Sequence, residues 1–171
     1  MQRKVLTLVV NAIVAALYVV LAVVPGAFSL ASGAIQFRIS EMLNHLVVFD
    51  RRYLWGVVLG VGLYNAIFSP MHWLDVLFGG AQSLIGLALV AWLAPHLPKL
   101  WQKMALNTVI MSLTMVLIAI EIAITGHLNA AAFGMTYLTL MASEVIIMIL
   151  GAVVMAAIDR AVHFAKVMGQ K

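Results

Sequence analysis

Long uninterrupted runs of apolar residues dominate the chain, separated by short polar or proline-containing stretches. A helix that crosses the roughly 30 Å hydrocarbon core of a bilayer needs about 20 mainly apolar residues. The pattern therefore predicts six transmembrane helices, at about residues 5–24, 37–49, 53–68, 76–94, 104–125 and 135–158. The runs do not alternate between apolar and polar residues, so they predict helices and not the strands of a membrane barrel.

The second run, 37–49, is too short to cross a bilayer in a straight, exposed helix. We expect this segment to be tilted, kinked or packed inside the bundle. A re-entrant segment here would change the number of spans to five or seven. No linker is long enough to separate domains, so residues 1–171 are expected to form a single membrane domain.

Composition supports a membrane protein. Of the 171 residues, 65% are hydrophobic and only 9% are charged, against about 25% charged in an average soluble domain. This balance excludes a water-soluble enzyme, a nucleic-acid-binding module and a disordered chain. The chain has no cysteine, which excludes disulfides and thiolate metal sites.

The positions of lysine and arginine predict the orientation. If the N-terminus is cytoplasmic, nine of the ten cations lie on the cytoplasmic side, and only Arg38 lies outside. Cytoplasmic loops carry an excess of Lys and Arg. Both termini are therefore expected in the cytoplasm, with the chain crossing the membrane several times.

Polar residues gather at the outer ends of the oriented helices. Ionisable groups at membrane depth are costly, so each is a candidate functional residue. The inner halves offer little beyond Asn11 and Asn107. A channel or proton relay needs polar groups through the full depth, whereas this arrangement predicts a binding pocket that is open outside and sealed below. The residues of the outer group are Arg38, Glu41, Asn44, His45, Asn65, His72, Asp75, Gln82, Ser83, Glu121, Tyr137 and Glu144.

Several of these residues allow two interpretations. Arg38 and Glu41 are three residues apart on one helical face, so they form an internal ion pair or face a ligand. Glu144 has only apolar neighbours three and four residues away, which favours a partner on another helix or a ligand. Asp75 is either a helix-start residue or a ligand contact, and Glu121 is either solvated or binding. Tyr137 either stacks on a flat ligand or anchors the helix at the interface.

Motifs of enzymatic chemistry are missing from the sequence. It contains no phosphate-binding Gly-x-x-x-x-Gly-Lys-Ser/Thr loop, no His-Glu-x-x-His and no Gly-x-Ser-x-Gly. We therefore predict no catalytic residue, no metal site and no cofactor.

Small residues line part of the first helix, where Ala12 and Ala16 are four apart. This spacing lets another helix approach closely. It is typical both of internal packing and of a docking face for a separate membrane subunit.

The segment Ala-Ile-Gln-Phe-Arg-Ile-Ser-Glu-Met-Leu at 34–43 resembles the start of helix two in the QueT family of queuosine-precursor transporters. The segment Leu-Asp-Val-Leu-Phe-Gly at 74–79 resembles the part of that family that opens helix four. Six spans with Ala12-x-x-x-Ala16 on the first helix resemble the substrate-binding S components of energy-coupling factor (ECF) vitamin importers.

The resemblance implies an S-component-like bundle that binds a vitamin-like molecule outside the cell. A membrane T component would dock on Ala12 and Ala16, and two cytoplasmic ATPases would supply the energy. The expected ligand is a 7-deazapurine, whose ring N–H and exocyclic amine would donate to a carboxylate, with Glu144, Glu41 and Asp75 as candidates. Its carbonyl would accept from Gln36, Gln82 or Arg38.

Other functions stay open at this point. Related S components take hydroxymethylpyrimidine or pyridoxine, and a pyridoxine-like ring could use His72 and Arg38. A stand-alone secondary carrier should show inverted repeats with interrupted helices, and no convincing pair is present. A membrane enzyme should show a carboxylate–histidine site, for which Glu41 and His45 are the only hint.

Overall fold

The structure is a computed structural model that describes residues 2–27 and 38–169. Within these ranges the chain is α-helical and has no strand. The α-helices are α1 (Gln2–Ala27), α2 (Leu46–Phe49), α3 (Leu54–Phe68), α4 (Trp73–Leu93), α5 (Leu100–Thr114), α6 (Val116–Gly126), α7 (Ala130–Val162) and α8 (Phe164–Val167). Short 3₁₀ turns cover Ile39–His45, Arg51–Tyr53 and Ala94–His96.

Four helical stretches in the described part of the chain are long and apolar enough to cross a membrane. They are Lys4–Val24, Trp73–His96, Leu100–Gly126 and Ala130–Val162. The predicted third span is present as α3, which has 15 residues. An all-α membrane protein is confirmed, while the count of six spans and the orientation stay predictions.

The predicted second span is a buried, tightly wound segment. Ile39–His45 is a 3₁₀ helix that continues directly into α2. At about 2.0 Å per residue in the first part and 1.5 Å in the second, the segment rises only about 20 Å. It packs against α1, α5 and α7, so its backbone is shielded from lipid by protein.

Several helices extend a few residues beyond their approximate predicted bounds, among them α1 at its end and α7 at its start. Helix α1 continues through Pro25 and Gly26 to Ala27, because a proline near the last turn removes only one backbone donor. Helix α7 begins at Ala130, five residues before the predicted start, where the Asn129 side chain accepts from the Ala132 amide at 2.9 Å. An asparagine at this position is a common helix N-cap.

The predicted fifth span, 104–125, is divided into α5 and α6 at Met115. The Thr114 hydroxyl donates to the Met111 carbonyl at 2.9 Å, a backbone contact that often bends a helix. The Met115 amide bonds to Ser112, three residues back, as in a 3₁₀ turn. The interruption therefore has a local cause, and it lies beside the cavity described below.

Helix α1 packs closely along α3. The Asn11 side-chain oxygen accepts from the Gly56 amide at 2.9 Å, which satisfies one of the free donors at the start of α3. A Cβ added to Gly60 would lie 2.6 Å from the Tyr18 Cβ. Glycine at position 60 therefore lets α1 approach α3 and brings Tyr18 into the bundle.

The chain is tied together at the end of the bundle where α3 begins. Arg52 pairs with Asp50 at 2.6 Å and also donates to the Met168 carbonyl at 2.6 Å. The hydrogen bond to Asp50 raises the pKa of the Arg52 guanidinium. Tyr53 donates to the Phe164 carbonyl at 2.9 Å. These contacts hold the segment after α7 against the turn that precedes α3.

Candidate substrate-binding site

A small cavity lies among the helices, and side chains from the 39–45 segment, α3, α4, α6 and α7 meet there. The centre of a water molecule can occupy about 20 Å³ of it, which is room for about one water. The cavity combines charged and amide side chains with apolar ones. Its lining residues are Arg38, Glu41, Val61, Gly79, Gln82, Ser83, Met115, Ile118, Leu140 and Glu144.

The inner side of this cavity is apolar on every long helix that lines it. At four points of the wall, a lining residue has a buried apolar residue one helical turn further in, four positions away along the chain. Val57 lies one turn inward of Val61, Leu87 of Ser83, Met111 of Met115, and Met148 of Glu144. All four of these inner residues have no exposed surface. The cavity therefore ends on a close-packed layer that is mainly apolar and also holds the hydrogen-bonded pair of His45 and Asn107.

Glu41 is buried and already fully engaged by the protein. Its side chain is 3% exposed. The Tyr18 hydroxyl donates to Oε1 at 2.6 Å, and the Asn44 amide donates to Oε2 at 2.6 Å. Charge-assisted hydrogen bonds of this length are strong, so Glu41 joins α1 to the 39–45 segment at the cavity wall.

Glu144 is buried to a similar extent, at 5% exposed, but its situation is different. Its Oε1 has no hydrogen-bond partner among the described residues. An unpartnered buried carboxyl oxygen costs free energy unless something else supplies a donor. Glu144 is thus the residue of the cavity wall with an unused acceptor.

Gln82 and Ser83 form a polar pair on α4. The Gln82 amide donates to the Thr114 hydroxyl at 3.1 Å, and its oxygen accepts from Ser83 at 3.1 Å. Both side chains are buried. Gln82 therefore links α4 to the last turn of α5, next to the interruption at Met115.

Arg38 does not form the internal ion pair that its spacing from Glu41 made possible. The salt bridge found among the described residues is Arg52–Asp50. Instead, the Arg38 guanidinium lies 5.9 Å from the centre of the Tyr64 ring, within the range of a cation–π contact. Arg38 therefore lines the cavity as a cation whose charge is not taken up by a direct carboxylate contact.

His45 faces away from the cavity, into the apolar layer. Its Nε2 is 2.9 Å from the Met148 carbonyl, and its Nδ1 is 3.1 Å from the Asn107 side-chain nitrogen. A carbonyl can only accept and an amide nitrogen only donates, so Nε2 carries the proton and the imidazole is neutral. The Glu41–His45 pair expected of a membrane enzyme is not formed, because the two side chains serve different partners.

Three of the predicted binding residues do not line the cavity. Asp75 accepts from Ser69 and from the Met71 amide, which makes it part of the turn before α4. His72 is exposed in that same turn with a φ of 43°. Tyr137 donates to the Leu113 carbonyl at 3.3 Å and packs behind the cavity wall. Gln36 lies outside the described residues.

Glu121 is buried, which excludes the interpretation that it is solvated at the helix end. It is 2% exposed, and its Oε1 has no partner among the described residues. Asp75 is its acidic neighbour. Glu121 is therefore buried to a similar extent as Glu144, but it does not line the cavity.

Ala12 and Ala16 lie on the exposed face of α1. Leu8, Ile13 and Val20 are exposed on the same helix, whereas Ala15 is buried at 2%. The stripe is therefore not used in packing within the described part of the chain.

The sequence analysis did not select Tyr18 or the apolar residues of the wall, and it placed Asn44 in the outer polar group without identifying it as a partner of Glu41. Tyr18 sits inside an apolar run, and its single polar atom at membrane depth was the only available signal. Glycine at position 79 lets α3 and α4 approach closely, because a Cβ there would lie 2.5 Å from the Asn65 amide nitrogen.

The family model of the QueT transporter matches residues 8–160. This chain belongs to the QueT transporter family. It is 32% identical to the queuosine precursor transporter QueT of Lactococcus lactis subsp. cremoris, over 96% of this chain and 99% of that protein. No solved structure was found to match the chain.

Membership of the QueT family identifies a transporter and not an enzyme. The cavity is consistent with that role, since it offers hydrogen-bonding groups in a buried place and no nucleophile–base pair. Within the described residues, no three His, Cys, Asp or Glu side chains are grouped so that they could hold a metal ion. The side chains with capacity left for a ligand are Glu144, Arg38 and Gln82, whose amide nitrogen uses one of its two N–H groups on Thr114.

Proposed function

We propose that this chain is the substrate-binding S component of an ATP-driven ECF importer and that it binds a queuosine precursor of the 7-deazapurine type. In this proposal the chain lies in the bacterial plasma membrane with both termini in the cytoplasm. The ligand enters from the outside, and a T component and two ATPases supply the transport step. Family membership and the chemistry of the cavity support this proposal.

The observation that carries the ligand assignment is the unpartnered oxygen of Glu144 in a cavity that also contains Arg38, Gln82 and Ser83. A 7-deazaguanine edge offers a ring N–H and an exocyclic amine side by side. A carboxylate can accept both as two parallel hydrogen bonds. Glu144 would take this edge, and Arg38 or Gln82 would donate to the ring carbonyl.

Charge favours a ligand that carries a cation in addition to its planar ring. Among the described residues that line the cavity there are two carboxyl groups, Glu41 and Glu144, and one cation, Arg38. An aminomethyl substituent, protonated at neutral pH, would compensate the remaining carboxyl group. Burying a charge without such compensation is costly.

Ligand binding requires the cavity to widen. Space for about one water is far below the roughly 300 Å³ of a typical small-molecule site. Met115 and Arg38 have flexible side chains at the wall, and Met115 also lies at the interruption between α5 and α6. We expect their displacement when the ligand enters.

Glu144→Gln in the purified full chain tests the site. The amide keeps the size of the side chain but presents an N–H where the ligand also donates. We expect the affinity for a 7-aminomethyl-7-deazaguanine to fall by at least about tenfold, measured by calorimetric titration, with unchanged expression. Glu121→Gln is the matched control, because it removes a carboxyl of similar burial that does not line the cavity.

If Glu144→Gln binds as tightly as the unmodified chain, Glu144 is not a ligand contact. A titration with hydroxymethylpyrimidine and pyridoxine in parallel identifies the ligand class. Tighter binding of either molecule would contradict the 7-deazapurine assignment while leaving the transporter family intact.

The partner assignment has its own test. The sequence lacks a phosphate-binding loop, so ATP would have to be hydrolysed by other subunits. We expect Ala12→Leu with Ala16→Leu to abolish co-purification with the T component, because leucine prevents close helix approach. Ala142→Leu with Ala157→Leu is the control, since both alanines are exposed on α7. Transport that persists without the ATPases would indicate a secondary carrier instead.

A further inference from the structure

A second and larger cavity lies at the opposite end of the bundle, beside the Arg51–Tyr53 turn. It has about 980 Å³ of space open to water. Its wall is formed by α2, by the turn, by the end of α4 and by the first residues of α5. None of its lining residues also lines the candidate ligand cavity, so the two sites are separate.

The charged groups of this second cavity are mainly positive. Arg51, Arg52 and Lys103 line it together with one acid, Asp50. Asp50 is paired with Arg52. The side chains of Arg51 and Lys103 have no hydrogen-bond or ion-pair partner within the part of the chain that the structure describes. The cavity therefore presents about two uncompensated positive charges.

An apolar groove leads out of this cavity between α3 and α4. Arg51, Arg52, Ala91 and Pro95 border both spaces, so the groove and the cavity adjoin. Two tryptophans stand on the groove, Trp55 at 64% and Trp92 at 67% exposed. Tryptophan side chains are enriched at the level of the lipid headgroups.

We propose that this cavity and groove bind an anionic phospholipid. The headgroup phosphate lies between Arg51 and Lys103, and one acyl chain follows the groove past Ala88 and the two tryptophans. Basic pockets between membrane helices bind such headgroups. A free phosphate would use the cations but not the apolar groove, and an acidic protein segment would not need a groove that faces lipid.

The test measures lipid retention by native mass spectrometry of the full chain, with phosphatidylglycerol and phosphatidylcholine offered separately. We expect phosphatidylglycerol to bind, and the double variant Arg51→Gln with Lys103→Gln to weaken its binding by about thirtyfold, about fivefold for each cation removed. Arg160→Gln with Lys166→Gln is the matched control. Both of these cations are exposed at the same end of the bundle and do not line the cavity.

A third variant tests the groove with the charges intact. Ala88 is exposed and lines only the groove, so Ala88→Phe should weaken phosphatidylglycerol binding severalfold by occupying the path of the acyl chain. Thermal unfolding in detergent shows whether each variant is folded. A variant that is unfolded is replaced by Arg51→Lys or Ala88→Leu. For these two variants we expect a smaller loss of phosphatidylglycerol binding.

Three results would overturn the proposal. Equal retention of both lipids would remove the role of the headgroup charge. Displacement of phosphatidylglycerol by millimolar inorganic phosphate, with Ala88→Phe without effect, would assign the cavity to a free anion. Loss of T-component binding in the double variant, with lipid retention unchanged, would assign it to a protein partner.

Discussion

Glu41 and Glu144 line the same cavity and are buried almost equally, yet the protein uses them differently. Both oxygens of Glu41 accept short hydrogen bonds, from Tyr18 and Asn44. Glu144 has an oxygen without a partner among the described residues. Burial alone therefore does not distinguish a structural carboxyl from a binding one. The two carboxyl groups are distinguished by the hydrogen-bond donors that neighbouring side chains supply. Glu144 is left as the carboxyl group with capacity for a ligand.

Glu41→Leu should produce the largest effect. The substitution leaves the Tyr18 hydroxyl and the Asn44 amide buried without an acceptor. We expect the free energy of unfolding to fall by about 3 kcal/mol, measured by thermal unfolding in detergent. Tyr18→Phe removes one donor while keeping Glu41 and should cost less. A loss of the same size in both variants would show that Asn44 contributes nothing.

His45→Leu should rank next and should leave ligand affinity unchanged. It removes two hydrogen bonds, to Met148 and Asn107, from the layer below the cavity. The expected loss of unfolding free energy is about 2 kcal/mol. A change in affinity beyond twofold in the folded variant would mean that the apolar layer shapes the site directly.

Glu144→Leu should have the opposite sign. Because it removes a buried acceptor that lacks a partner, the free energy of unfolding should rise by about 1 kcal/mol, while ligand binding is lost. The contrast with Glu41→Leu is the sharpest form of the comparison. If both variants are destabilised equally, the distinction between the two carboxyl groups does not hold.

Tyr137→Phe should have the smallest effect. Its hydroxyl makes one hydrogen bond of 3.3 Å in a half-buried position. We expect at most about 0.5 kcal/mol of lost stability and an unchanged affinity. A marked loss of affinity would place Tyr137 against the ligand after the cavity has widened.

The apolar runs and the short motifs at 34–43 and 74–79 by themselves established an all-α membrane protein of a transporter family. The length of a membrane-spanning helix follows from the thickness of the bilayer, so the existence and approximate position of the long helices could be predicted from hydropathy. The cluster of polar residues was also visible, and Arg38, Glu41, Gln82 and Glu144 of that cluster do border one cavity. The start of α7 depends on the Asn129 cap, and the end of α1 on the tolerance of a proline near the last turn, neither of which hydropathy contains.

Only the tertiary structure decided which of these side chains already have hydrogen-bond partners within the protein. One of the two partners of Glu41 lies 23 residues away, and the partners of His45 lie 62 and 103 residues away. Asp75 and His72 belong to the turn at the start of α4, and Glu121, for which solvation was one of two interpretations, is buried. Hydrogen bonds between helices depend on how closely the backbones approach, as at Gly60. That approach is set by the packing of the whole bundle, and no local pattern along the chain records it.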